Sequence, residues 1–433
     1  MSGLISQVPD PAPSAGAGWL ATLRHEAAAY LHARGFPGKK HEAWRFTSVR
    51  EIVETTFAPE PAERAAPAAL DALGDDGTWR VAIAAGRPWL DGAGAAPDGV
   101  TVESLADALA RDPAALEGQL GAGVAAQDFA ALNAALFTDG LVVRIRAGAD
   151  VTTPLHVVHV ATPGEAPRAA YPRVLVLAEP GSRACVVESF VAAPGGSARH
   201  LTNVVTEVAV GANAHLEHVR VTEGTDRTVQ LASLGVRLAR DARYASRVVT
   251  LGGALSRLDL FVRFEGAGAE ALLDGVYHVD GQDHVDHHVR VDHVAGHGTS
   301  RTRYRGLADG RGHAVFDAIG VVHRGAAGSA VHQENRNLLL SDAATVHTKP
   351  HLEIDEDDVA ASHGATVGAL DEAQLFYLRA RAVPLSEARS ILTFAFARAV
   401  LDGIGHAPLV ARTSEALLSR LPEGAALRGG LSA

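Results

Sequence analysis

From Leu141 onward the sequence alternates apolar and polar residues with a period close to two, in LVVRIRAG, LHVVHVA, RVLVLAE, CVVESFVA, AHLEHVRVT and RLDLFVRFEG. Small-residue turns recur between these runs, near Gly181, Gly195, Gly211, Gly224, Asp241, Gly252, Gly268, Gly281, Gly296, Gly312, Gly328 and Ala343. Successive turns lie about 11 to 17 residues apart, a soft internal repeat. A unit of that length holds a strand or two and a turn, and it cannot bury its own apolar face. Neighbouring units must therefore stack. A β-solenoid and an antiparallel sandwich or meander both fit this pattern, and the lack of Asn-Gly hairpin signals leans toward the solenoid. Pro350, in the middle of the last unit TVHTKPHLEI, suits an edge or terminal rung.

The flanks read differently, and they divide the chain into a mixed N-terminal domain (1–138), a β core (139–355) and a helical C-terminal domain (356–433). A helix is predicted over residues 19–34, with Gly35 placed to end it. In HEAWRFT, residues 41–47, Trp44 and Phe46 read as a packed aromatic pair with Arg45 solvated. Residues 57–75 read as a linker, TWRVAIAAGRPWLDG as a hairpin, and VTVESLADALARDP and DFAALNAALFTDG as helices. After the acidic run 355–358, Asp371 and Gln374 resemble a capping box, and Pro384 marks the start of a second helix. Ala388, Ile391, Leu392, Ala395, Ala399 and Leu401 form its expected inner stripe. A third helix is expected over about 413–421. Phe376, Tyr377, Phe394 and Phe396 are the bulky candidates for a partner-binding face, and the pattern does not say which of them point outward.

Charge and composition narrow the function. A net charge of −11 gives no general attraction to phosphate backbones or anionic lipid, so neither nucleic acid nor a membrane surface is an expected partner. The stretch MSGLISQVPDPAPSAGAG lacks the basic-then-apolar order of an export signal, and no run approaches the roughly 18 apolar residues of a membrane span. A cytoplasmic protein is expected. The single cysteine, Cys185, rules out an internal disulfide framework and a cysteine-only metal site within one chain.

Histidines are the densest chemical feature. In YHVDGQDHVDHHVRVDHVAGHG, residues 277–298, alternation puts His287 and His293 on one face with Val289 and Val291, and Asp286, His288, Arg290 and Asp292 on the other. Groups six residues apart on one strand stand about 20 Å apart, too far to share an ion. A buried hydrogen-bonding ladder or a solvated face is the expected role, and a histidine-based metalloenzyme is the alternative. His347, Lys349 and His351 form a second group. His363, between Ser362 and Gly364, reads in isolation as a turn residue. There is no Walker A loop, nucleophile elbow or H-E-x-x-H helix, so no self-contained active site is visible. A carbohydrate-active β-helix enzyme would call for aromatic platforms and paired carboxylates, and only 5% of the residues are aromatic.

Residues 334–388, ENRNLLLSDAATVHTKPHLEIDEDDVAASHGATVGALDEAQLFYLRARAVPLSEA, resemble the C-terminal signature shared by the SufB and SufD subunits of the SUF iron–sulfur cluster assembly system. The T-K-P-x-L-E-I and S-H-G-A-T-V-G segments are more similar to the SufD side. HEAWRFT and residues 285–312 resemble it as well. The resemblance implies a right-handed parallel β-helix core flanked by an N-terminal α/β region and C-terminal helices. It further implies a non-catalytic scaffold that pairs with a SufB-like subunit through the β-helix and docks a SufC-like ATPase on the C-terminal helices. A transient iron–sulfur cluster would form at the partner interface, with none bound tightly by the isolated chain. Homodimerisation of the isolated chain stays open. The histidine implicated at that interface falls on His363. Where many relatives carry cysteine two residues earlier, this chain has Ala361, and where they often carry an acidic residue it has His347. On this reading His363 depends on a partner for thiolate.

Overall fold

A computed structural model describes residues 3–11, 18–60, 70–71, 73–91, 93–125, 127–193, 195–422 and 424. Its core is a parallel β-solenoid. The strands form two sheets, one of 11 strands and one of 10, and from Arg173 onward successive strands alternate between them, each pairing in parallel with the strand two places along the chain. Leu255–Phe264, for example, pairs with His284–His293, and His284–His293 pairs with His313–Val322. One turn unit of the sequence is thus one strand and its corner, and two units make a full coil. The corners hold the left-handed backbone that small residues favour, at Gly181, Gly268 and Gly281 and also at Asp241 and His297.

Inward positions of both sheets fill the lumen with a continuous apolar core that includes Val204, Leu234, Leu260, Val289 and Phe316. Two of the tyrosines in this core lie beside bare backbone on the neighbouring strand of the same sheet. A Cβ at Gly275 would stand 2.2 Å from the Tyr304 ring, and one at Gly306 would stand 2.4 Å from the ring of Tyr277. Both outer faces are covered as well, as parallel sheets require. The helices Trp19–Arg34 and Asp128–Leu136 pack over the first sheet with Leu201, Val229 and Leu231. The helices Leu385–Leu401 and Ala407–Leu418 cover Val187, Val219, Val249 and Leu307 on the second.

Several expectations are met at the flanks. The first helix spans Trp19–Arg34 and ends at Gly35 with φ 69°. Trp79–Ala84 and Arg87–Trp89 form the antiparallel hairpin. Asp371 caps Glu372–Arg379 by accepting from the amides of Ala373 and Gln374.

Other features differ. Val100–Ser104 is a strand, and only Leu105–Arg111 of that segment is helical. Most of the linker read over 57–75 lies outside the described residues, while Ala58–Pro59 pairs with Arg168–Ala170. The solenoid also extends past the 139–355 span at both ends. Trp79–Ala84 pairs with Leu155–Ala161, and Val359–Gly368 pairs with Ser329–Leu339, so the C-terminal helices begin at Glu372 rather than at 356. Trp44 and Phe46 are not a pair. Trp44 is buried against Phe129 and beneath the Arg257 guanidinium, whereas Phe46 is exposed and stacks on His347 with ring centroids 3.8 Å apart. In Leu385–Leu401 the buried stripe is Ala388, Phe394, Ala397, Val400 and Leu401, and Ala395 and Ala399 face solvent. Alanine gains little from either face, so the larger gain from burying Phe394, about 2 kcal/mol, sets the helix rotation.

Candidate functional site at the open rung

The last coil consists of Thr345–Ile354 and Val359–Gly368, each the terminal strand of its sheet. Each is paired along one edge only, with His313–Val322 and Ser329–Leu339 respectively. None of their residues is buried, and Ile354 and Val367 are each 43% exposed. Two adjacent free strand edges with exposed apolar ends form a template for another chain. Pro350 sits on one of these edges, where a missing N–H is tolerated.

His363 lies in this rung, within a strand and not in a turn. Its register partners in the preceding coils are Gln333, Thr302 and Leu273, all facing the lumen and the last two at most 2% exposed. Strand pleating therefore puts His363 at the lumen-facing position of the final coil, where no further coil stacks on it, and it is exposed. Among the described residues it has no hydrogen bond, ion pair or ring contact. Its neighbour Gln333 is buried with Oε1 unpartnered, as is Thr348 Oγ1 on the facing sheet. The sequence did not show this position as a strand because its residues are small and both faces are exposed, which erases the alternation.

The second histidine group does not converge on His363. His347, Lys349 and His351 lie on the outer face of the other sheet: His347 beneath Phe46 and edge-on to His313 at 5.1 Å, Lys349 paired with Glu42 at 3.0 Å, and His351 beside Glu353 at 3.3 Å. The 278–297 histidines are dispersed along the solenoid. His287 bonds Thr250 at 3.1 Å between the edges of Tyr277 and Tyr304, and burial pushes its pKa down to about 3. His293 bonds Ser300 at 2.8 Å and stacks on Phe264, and burial pushes it to about 4. His278 is likewise pushed to about 4 by burial and by Arg420. His288 faces outward against Asp286 at 2.9 Å. Among the described residues no three His, Cys, Asp or Glu side chains are placed to hold a metal ion.

Of the four aromatics expected at a docking face, Phe376 and Tyr377 are 73% and 56% exposed on Glu372–Arg379. Tyr377 carries Arg381 over its ring at 3.7 Å. Phe396 is half-buried with Arg305 at 5.5 Å. Phe394, only 3% exposed, belongs to the core beneath the helix and cannot reach a partner. Cys185 packs at the edge of the same apolar cluster, and burial raises its pKa, so the chain's one thiol is poorly suited to supply thiolate.

A buried ionic network went unread in the sequence. Glu188 accepts from His159 at 2.8 Å, His218 at 2.9 Å, Arg220 at 3.2 Å and Thr206 at 3.0 Å, entirely inside the solenoid. Glu188 is held well below the usual carboxylate range against its burial, by Arg220 first and then by the two histidines. Arg220 also lies over the Phe190 ring at 4.2 Å. The available signal was a charged residue at an inward position in two register-matched strands, Glu188 opposite Arg220.

Residues 159–396, most of the solenoid together with the first part of the helix Leu385–Leu401, match the family described as SUF system FeS cluster assembly, SufBD core domain. A SufBD-family iron–sulfur cluster assembly protein of Synechocystis is 28% identical over 417 residues, covering 93% of this chain and 91% of that protein. The iron–sulfur cluster assembly protein SufD of Escherichia coli is 30% identical, with 90% of each chain covered. SufD of Bacillus subtilis is 27% identical over 63% of this chain and 62% of its own length.

Proposed function

Because the chain belongs to the SufBD family of iron–sulfur cluster assembly proteins, we propose that it is a SufD-like scaffold that works by presenting His363 at the open end of its solenoid to a SufB-like partner. The observation that carries this reading is the conjunction at one rung: two unpaired strand edges, and an imidazole with no partner at the lumen mouth. Pairing of those edges with the terminal rung of a second chain would continue both sheets and bring His363 against the partner's own lumen residues. The orphaned oxygens of Gln333 and Thr348 support the same reading, since buried polar atoms are normally satisfied and these lie, respectively, next to and within the rung that would be covered.

The nascent cluster is cargo in this account. His363 supplies one imidazole nitrogen, and because Ala361 offers no thiolate, the partner supplies the sulfur ligands. The ATPase activity belongs to a SufC-like subunit docked on the C-terminal helices, where Phe376 and Tyr377 give an exposed aromatic anchor next to Arg381. The chain itself performs no catalysis in this scheme, which operates in the cytoplasm. The described residues include no helix long and apolar enough to cross a membrane.

Co-expression with SufB-like and SufC-like chains tests the proposal. A stable complex that accumulates iron and sulfide under anaerobic reconstitution is expected. A chain that stays alone in the presence of both would sink the proposal.

A further inference from the structure

We propose that the outer face of the second sheet, beside its open edge, carries a binding site for a small phosphorylated anion built on Arg301, His332 and Ser362. A groove of about 590 Å³ runs there, within the range of small-ligand pockets. Three outward rows cross it in register. Arg301, His332 and Ser362 form one, Arg303, Glu334 and Gly364 the second, and Arg305, Arg336 and Thr366 the third. The inner strands supply long guanidiniums, while the final strand supplies two hydroxyls and a bare backbone. A Cβ at Gly364 would meet nothing within 4 Å.

The charges in the groove do not cancel. Arg303 spends Nε and Nη2 on Asp274, each at 2.8 Å, and Arg305 and Arg336 share Glu334 at 2.6 Å each. Arg301 is exposed and, among the described residues, has no hydrogen bond or ion pair. The groove itself is lined by three arginines, Arg301, Arg303 and Arg336, and one carboxylate, Glu334, a local charge of +2 on a chain whose net charge is −11. An unspent guanidinium offers five N–H donors in a fork that matches a phosphate face. Beside it, His332 Nδ1 is hydrogen-bonded to Ser362 Oγ at 2.8 Å, which fixes the hydroxyl and leaves Nε2 free to meet an oxyanion.

A compact anion fits better than an acidic peptide. A run of carboxylates would have to cross Glu334 in the middle row, whereas one phosphate group reaches Arg301, His332 and Ser362 without approaching it. His363 also borders the groove, but strand alternation turns it to the opposite face from Ser362, so the anion contacts are made by Arg301, His332 and Ser362 and not by the proposed cluster ligand.

The full-length chain, without partners, should be titrated with inorganic phosphate and with pyrophosphate at low ionic strength by calorimetry. Saturable binding with Kd at or below about 1 mM is expected for one of them. Arg301→Gln should weaken it at least about tenfold, the loss of one charge-assisted bidentate contact, and Arg301→Lys by less. Arg311→Gln, an exposed arginine on another corner, should leave it unchanged. Melting temperatures of the variants confirm their fold, which an exposed and unpaired Arg301 does not support. The proposal is overturned by no saturation with either anion up to about 20 mM, by equal losses in Arg301→Gln and Arg311→Gln, or by an acidic peptide that binds more tightly than pyrophosphate.

Discussion

Lowering the pH from 7 to 5.5 should destabilise this fold steeply, and the magnitude can be worked from four histidines. His156, His278, His287 and His293 are at most 1% exposed. Burial, the leading cause in each, holds their pKa values at about 3 for His156 and His287 and about 4 for His278 and His293. An unfolded histidine titrates near 6.5. Each folded value lies below the unfolded one, so in this window the unfolded chain binds protons that the folded chain refuses. Stability is complete above about pH 6.5 and falls as the pH drops. From pH 7 to 5.5 the cost is about 1.2 kcal/mol per imidazole, or about 5 kcal/mol for the four. Carboxylates barely contribute there: Asp286 and Glu188 are held far below their usual range, and unfolded Asp and Glu titrate near 4. A loss of about 5 kcal/mol rivals the whole stability of many domains. Urea unfolding followed by circular dichroism at several pH values gives the proton uptake directly from the slope. His287→Gln, which can keep the Thr250 bond, should remove about one proton of it. An uptake below about one proton in the parent chain at pH 5.5 would refute the claim that these four buried histidines are neutral in the fold.

The remaining predictions concern single sites. Arg220→Ala should cost about 3–5 kcal/mol by leaving Glu188 buried and short of its cation, read as a fall in the urea midpoint at pH 7. His363→Ala should leave the melting temperature within about 1 °C of the parent, since the ring is exposed and unpartnered, while iron and sulfide recovered with the complex fall several-fold. Phe376→Ser combined with Tyr377→Ser should leave stability within about 0.5 kcal/mol but weaken capture of the ATPase partner at least about tenfold, measured by calorimetry on the full complex. Phe394→Ala is the contrasting control, and should lower stability by about 3–5 kcal/mol as a core deletion.

The solenoid was legible as rhythm but not as topology. Alternation separated His287 from His288 correctly, because pleating is a local property. It could not show that His287 would meet Thr250, Tyr277 and Tyr304, because those residues come from neighbouring strands of the other sheet. The choice between solenoid and sandwich depends on which strands pair, and only the family resemblance in residues 334–388 decided it. The Val359–Gly368 strand was hidden for a physical reason: a terminal rung exposed on both faces has no apolar parity to read. Phe394 could not be given a face, and Ala395 and Ala399 were read as inward, because a stripe of alanines is a weak guide to helix rotation and the buried aromatic sets it. Glu188 and Arg220 were overlooked as ordinary charged residues within apolar strands, although their inward parity in two register-matched strands marks them as a buried pair.

Hydrogen–deuterium exchange of the chain alone and in complex with a SufB-like partner tests the central claim most directly, since the open rung is where the two should meet. Amides of residues 345–354 and 359–368 that are unpaired in the isolated chain should gain strong protection in the complex, with the Trp19–Arg34 helix unchanged. A complex that forms while both edge strands exchange as fast as before would contradict the claim that the solenoid mouth, with His363, is the interface.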